Sequence, residues 1–201
     1  IKQYAMLSVN FGSNDIEFID VKNGSKRNMP LGIAHFLEHQ LFEDKEDSIF
    51  DKFADLGASA NAYTNFDSTN YLFSSSSNFE DSLINLIEFV EEPYFSSENV
   101  EKEKGIILQE IKMYQDNPYW RSYFNLLSAL YSQHPVKNDI AGTEESVMSI
   151  TAEDLYICYY NFYLPSNMDL ILIGDLQPQK IINLIRENQA KKHFPHFKNP
   201  V

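Results

Sequence analysis

Two strand-like stretches sit close together in the middle of this chain. Ala58–Asn65 and Thr69–Ser74 are separated only by the turn residues Phe66, Asp67 and Ser68. Strands that run parallel need a crossover of about a dozen residues or more, so this spacing reads as an antiparallel hairpin. Ahead of it, Ala5, Leu7, Val9 and Phe11 alternate with Tyr4, Met6, Ser8 and Asn10, the period of a half-buried strand. A second strand is predicted at Ile16–Val21, a loop at Asn23–Pro30 and a helix at Leu31–Phe42. The charged run Glu43–Asp47 leads to a helix over Ser48–Leu56, with a capping box at Ser48 and Asp51 and a stop at Gly57.

After the hairpin, helices dominate. Asn78 is expected to cap a helix that runs to Pro93. Helices are then predicted at Ser97–Tyr114 and Pro118–Tyr131, followed by a loop over Gln133–Thr143. Thr151 and Asp154 form a further capping box, opening a helix to Tyr163. Asp169–Ile173 is a buried strand and Gln177–Asn188 the last helix. Hairpins and consecutive helices do not suit a regular βαβ repeat. The order predicts one α+β domain, helices covering a mostly antiparallel sheet.

Charge narrows the function classes. Lys and Arg number 16 against 29 Asp and Glu, a net charge of −13 with a pI near 4.7. So acidic a chain repels a phosphate backbone and an anionic bilayer, so neither nucleic acid nor membrane is expected as a partner. No apolar run reaches the roughly 18 residues of a membrane span. The lone Cys158 has no internal disulfide partner, which leans toward a reducing, cytoplasmic setting.

The strongest chemical signal is His35-Phe36-Leu37-Glu38-His39. On a helix, residues four apart lie about 40° apart around the axis and about 6 Å along it. Both imidazoles then reach one metal ion from one face. Glu38 lies within about 100° of arc of each, close enough to touch a water on that ion. Phe36 and Leu37 point the other way, into the core. This is the inverted form of the zinc peptidase motif, the Glu directly preceding the second His. The plainer reading is a pair of surface histidines beside an ordinary Glu.

A catalytic zinc needs a third protein ligand and an open position. The best source is Glu101–Ile111 (EKEKGIILQEI), where Glu103 and Glu110 lie two helical turns apart on one face. Ile106, Ile107 and Ile111 are expected to carry that helix into the core. Spacing alone leaves either Glu as the ligand, or both solvated like Glu101.

Several phrases resemble the M16 metallopeptidases, the pitrilysin, insulinase and mitochondrial processing peptidase family, and in particular its bacterial YmfH-like branch. They are GIAHFLEHQLF, GASANAYTNFDSTNYLF, EKEKGIILQEI and HPVKNDIAGT with the YYNFYLPSNM that follows. The likeness runs from about Ala5 to Leu176. It implies a LuxS/MPP-like metallohydrolase fold, with residues 1–201 a single zinc-binding N-terminal lobe of a longer two-lobed protein. It implies one zinc ion on His35, His39 and Glu110, with Glu103 supporting those ligands and Glu38 as general base. Asn61 and Ala62 match the positions nearest an extended peptide that adds to a sheet edge; the alternative is a hairpin strand with a polar residue near its turn. Gln40 stands where many relatives have Met. The implied activity is zinc-dependent endopeptidase, and the competing one a catalytically silent M16-like subunit acting as a scaffold. The implied partners are a peptide substrate and a second homologous lobe, in the same chain or as a paralogous subunit, with a dimer expected.

His134, beside Pro135, reads as structural, and His193 and His196 as binding nothing. Cys158 reads as a buried inert thiol. Tyr119, Trp120, Tyr123 and Phe124 read as core at helical spacing, with one face free to meet a partner domain.

Overall fold

Alternation along the first strand decides which way the sheet faces. In β1 (Gln3–Val9), Ala5, Leu7 and Val9 are buried while Tyr4, Met6 and Ser8 are partly exposed. The computed structural model describes residues 2–43 and 49–192. The short strands β2 (Glu17–Ile19) and β3 (Lys26–Asn28) follow, then helices α1 (Ile33–Leu41) and α2 (Ile49–Asp55). The hairpin is β4 (Ala58–Thr64) and β5 (Thr69–Ser75), and helices α3 (Phe79–Glu91), α4 (Ser97–Gln115) and α5 (Pro118–Leu130) come after it. Last are α6 (Glu144–Ser149), α7 (Ala152–Phe162), β6 (Met168–Ile173) and α8 (Pro178–Gln189).

The main sheet has the order β4-β5-β1-β6, and every pairing is antiparallel. The register aligns Ala60, Phe73, Ala5 and Leu172 in one cross-strand row, and Ala62, Tyr71, Leu7 and Leu170 in the next. These rows form the face that the helices cover, with Phe36, Leu37, Leu83, Ile107 and Leu155 fully buried in the same core. β4 is an edge strand: among the described residues, only β5 pairs with it.

The hairpin forms where the spacing places it, closed by Asn65 N–H donating to Ser68 O at 2.7 Å. The Thr151–Asp154 capping box is present in full. A second box, Thr143 with Ser146, opens α6. Other local expectations need correction. The loop predicted at Asn23–Pro30 contains β3, which pairs with β2 through Glu17–Asn28, Phe18–Arg27 and Ile19–Lys26. The Gly, Ser and Asn around it mark the turn, and the Lys26–Glu17 ion pair at 2.7 Å helps the polar strand stay paired. Asn78 makes no side-chain cap. It sits in the left-handed region (φ 50°) and its Nδ2 donates to Leu56 O at 3.1 Å. Ile106 is exposed, because it lies about 100° around the helix from the buried Ile107 and about 140° from the buried Ile111. The box at Ser48 involves a residue outside the described ones.

The first helix starts at Ile33, not Leu31. Gly32 has φ +86°, a conformation a helix cannot contain. The reason is packing. A Cβ on Gly32 would run into the Ala141 carbonyl, and one on Gly142 (φ +80°) would meet the Leu31 carbonyl. Two glycine turns lie back to back and fix where the His-bearing helix begins. A left-handed backbone on a residue with a side chain costs about 1–3 kcal/mol. Gly32→Ala should therefore lower stability by at least about 2 kcal/mol in urea unfolding, and an unchanged midpoint would refute this account of the helix start.

Gln40 shows a different kind of cost. It is fully buried, and among the described residues its Nε2 reaches only Asn99 O, at 3.4 Å, and its Oε1 has no partner. An unmet buried acceptor costs about 1–3 kcal/mol, and Met fills nearly the same volume without one. Gln40→Met should raise stability by about 1 kcal/mol, read as a higher unfolding midpoint with an unchanged denaturant slope.

Candidate metal centre

Two helices build the site. α1 turns Phe36 and Leu37 into the core, so the face a quarter-turn away presents His35, Glu38 and His39 toward α4. α4 buries Ile107 and Ile111 against the same core, which aims Glu103 and Glu110 back at α1. His35, Glu38 and Glu103 are buried; His39 and Glu110 are half-buried.

Glu110 Oε2 lies 3.6 Å from His35 Nε2 and 3.5 Å from His39 Nε2. The three candidate ligand atoms all fall within 4.8 Å of one another. Zinc bonds of about 2.1 Å in a tetrahedron set ligand atoms about 3.4 Å apart, so these two gaps match the edges of a zinc site. Two imidazoles and one carboxylate are also the ligand types a catalytic zinc takes.

Glu103 Oε1 lies 2.8 Å from His39 Nδ1. A carboxylate only accepts, so the ring proton sits on Nδ1 and the Nε2 lone pair faces the ligand cluster. His35 has no such support: its Nδ1 is buried without a partner among the described residues.

The electrostatics separate the two histidines. Burial, and then the neighbouring His39, push His35 down to about 4, which keeps it neutral and able to ligate at neutral pH. Burial also presses His39 downward, but the Glu103 hydrogen bond and the surrounding carboxylates outweigh it and leave its pKa raised. An ion binding at Nε2 would displace the second proton that the imidazolium carries there and leave the Nδ1 proton with Glu103. Glu38 is pushed up by burial, opposed by a hydrogen bond from Thr64 and by the charge of His39. Its Oε2 accepts from Thr64 Oγ1 at 2.6 Å.

A cleft of about 410 Å³ opens onto these groups, lined also by Asn61, Ala62, Tyr63 and Thr64 of β4 and by Tyr114, Trp120, Ile140 and Ala141. A larger cavity of about 600 Å³ lies elsewhere, between Asp20–Arg27 and Tyr156–Asn161, and among the described residues holds no comparable ligand set. Asn61 is exposed, its Oδ1 accepting from Ala62 N–H at 2.9 Å; Ala62 is half-buried.

Three further side chains at the site carry no signal of their role in local sequence patterns. Thr64 lies within one of the M16-like phrases, but only the strand's alternation beside α1 shows that it meets Glu38. Tyr114 donates its hydroxyl to Glu110 Oε1 at 2.6 Å, and Asp139 receives the indole N–H of Trp120 at 2.6 Å. Of the aromatic cluster expected as core, Phe124 alone is buried; Tyr119 and Tyr123 are exposed and Trp120 borders the cleft. His134 caps the short turn Pro135–Lys137, its Nδ1 accepting from Val136 N–H. Cys158 is buried, which pushes its thiol pKa well up. His193 and His196 lie outside the described residues.

Fold and site together define a metallopeptidase-like α+β domain. Residues 18–144 match the family model for insulinase, peptidase family M16, and residues 149–201 match that for the peptidase M16 inactive domain. The chain belongs to peptidase family M16. It is 52% identical over 193 residues to a Bacillus subtilis (strain 168) protein named uncharacterized zinc protease YmfH, covering 96% of this chain and 45% of that one. The crystal structure of an M16-like peptidase from Alicyclobacillus acidocaldarius superposes with a TM-score of 0.94 at 48% identity, over 98% of this chain and 47% of that chain. The periplasmic protease PqqL of Escherichia coli shares the fold at a TM-score of 0.79 and 24% identity, over 100% of this chain and 23% of that chain. The chain spans about half the length of YmfH and of the Alicyclobacillus protein. No described helix is long and apolar enough to cross a membrane.

The Thr64–Glu38 bond gives a direct test of the site's electrostatics. It favours the charged carboxylate, so its stabilisation is present while Glu38 is ionised and is lost as falling pH protonates it. Thr64→Val should cost about 1.5–3 kcal/mol at neutral pH, and the gap from wild type should narrow in acid. A gap independent of pH would mean the hydroxyl serves something other than the carboxylate.

Proposed function

We propose that this chain is the zinc-bearing lobe of an M16 endopeptidase, and that the protein containing it hydrolyses peptide bonds in extended peptides. The observation that carries this reading is the convergence of His35 Nε2, His39 Nε2 and Glu110 Oε2 beside a buried Glu38 carboxylate at the floor of an open cleft.

His35, His39 and Glu110 would hold one zinc ion, with Glu103 fixing the His39 ring. When bound, zinc supplies a Lewis acid for the scissile carbonyl and brings water toward ionisation near neutral pH. Glu38 then takes the proton of the attacking water and returns it to the leaving amine. Burial raises its proton affinity toward the range a general base needs, and Thr64 keeps its carboxylate aimed. The free edge of β4 offers backbone groups to an extended peptide, which binds by strand addition with little demand on sequence. Asn61 and Ala62 sit on that edge. In this reading a second M16 lobe, in the same chain or a paralogous subunit, closes over the cleft and completes the assembly as a dimer of lobes. A cytoplasmic setting fits the lone buried cysteine, although the same fold serves PqqL in the periplasm.

A silent scaffold subunit is the other reading, and loss of a motif residue would be its mark; here each one is in place. The full-length protein separates the two. Wild type should contain one zinc per chain and cut a quenched peptide. Glu38→Gln should keep the zinc and lose cleavage by at least about a hundredfold, the scale of a lost acid–base catalyst. His35→Ala should lose both. Cleavage by Glu38→Gln at the wild-type rate would remove Glu38 as the base, and a zinc-loaded wild type that cuts nothing would favour the scaffold.

A further inference from the structure

Glu110 uses its two oxygens differently. Oε2 faces both imidazoles at 3.5 and 3.6 Å, while Oε1 accepts the Tyr114 hydroxyl at 2.6 Å. Tyr114 lies one turn further along α4, and it is itself held. Its ring stacks flat on Trp120, with centroids 4.4 Å apart and planes 12° from parallel. Trp120 Nε1–H donates to Asp139 Oδ2 at 2.6 Å, and Asp139 Oδ1 accepts from Ala141 N–H at 3.0 Å. Ala141 is the residue whose carbonyl packs on Gly32, at the start of the histidine helix. The contacts close a ring: α1, the turn over Asp139–Ala141, Trp120, Tyr114, Glu110, and back to α1.

We propose that Tyr114 is a positioning residue that restricts Glu110 to one metal-facing oxygen, with Trp120 and Asp139 fixing Tyr114 in turn. The inference rests on the metal-centre reading above. Its chemical sense is coordination number. A carboxylate free to rotate can bind an ion through both oxygens and fill the position that a catalytic site keeps open. An oxygen already accepting a short hydrogen bond is a poorer second ligand, and the phenol limits the swing of the first. Hydrogen bonds to ligating carboxylates of this sort typically alter metal affinity 10–100-fold when removed.

Tyr114→Phe keeps the ring stack and deletes only the hydroxyl. Zinc affinity, measured by competition with a chromophoric chelator, should fall about tenfold, while the apo protein keeps the wild-type fold and loses no more stability than the one hydroxyl–carboxylate bond supplies. Cobalt(II) in the same site should show weaker visible bands in the variant, the sign of a fifth ligand. A Glu110→Gln background adds a readout that a merely structural tyrosine would not move. There, Tyr114→Phe should cause no further loss of affinity, because the two side chains act as one unit. Wild-type affinity and an unchanged cobalt spectrum in Tyr114→Phe would overturn the inference while leaving the metal centre intact. Additive losses in the double variant would overturn it too. A wild type that takes up no zinc would sink the metal-centre reading, and this inference with it.

Discussion

The seam between α1 and α4 gathers three carboxylates and two imidazoles, three of the five side chains buried and His39 and Glu110 half-buried at the cleft. Charges of one sign gathered like this are costly unless they are paired, hydrogen-bonded or bound to a cation. Each of the three finds a different answer. Glu103 pairs with His39 at 2.8 Å, Glu38 takes the Thr64 hydroxyl, and Glu110 takes the Tyr114 hydroxyl with one oxygen and turns the other to the histidines. The core pays for holding them there: Phe36, Leu37, Ile107 and Ile111 are buried behind the two helices and prevent the charged faces from drifting apart. In the metal-centre reading proposed above, a divalent cation would neutralise the remaining excess of negative charge without changing the packing.

Three residues of one chemical type thus have distinct environments, and their environments account for the roles proposed for them. Glu38 is buried and carries no direct contact to an imidazole nitrogen, which suits a base that must gain and lose a proton. Glu103 is buried behind His39, out of reach of the cleft, and orients a ring. Glu110 is half-exposed at the cleft wall, where a ligand must stand.

Much of this was legible in the sequence because it depends on local rules. The hairpin follows from a three-residue turn between two strand patterns, and the Thr151 cap from one hydroxyl and one carboxylate three residues apart. The positions of His35, Glu38 and His39 on a common face follow from helical geometry. What stayed hidden depends on contacts between distant segments. Spacing along α4 could not separate Glu103 from Glu110, since both lie on one face and only the distance to each imidazole nitrogen distinguishes them. Trp120 looks like a core aromatic in a helical pattern; that it stacks on Tyr114 at the cleft depends on how α5 folds back on α4. Asn78 has the composition of a cap, but its side chain is drawn to Leu56 O, a neighbour that no local pattern announces. β3 is short and polar, and exists only because β2 lies opposite.

The register of β4 links the proposed base to the proposed peptide ledge. Period two sends Ala60, Ala62 and Thr64 toward the helices and Ser59, Asn61 and Tyr63 to the opposite face. Thr64 meets Glu38 only because it falls on the helix side. A slip of one residue against β5 would carry Tyr63 or Asn65 into that place and turn Thr64 outward. The same slip would exchange which backbone N–H groups point out from the free edge. The pairing of Thr64 with Thr69 at the mouth of the tight turn fixes that register. One hairpin geometry therefore sets both the carboxylate's hydrogen bond and the pattern of donors along the edge, and neither can be altered without the other.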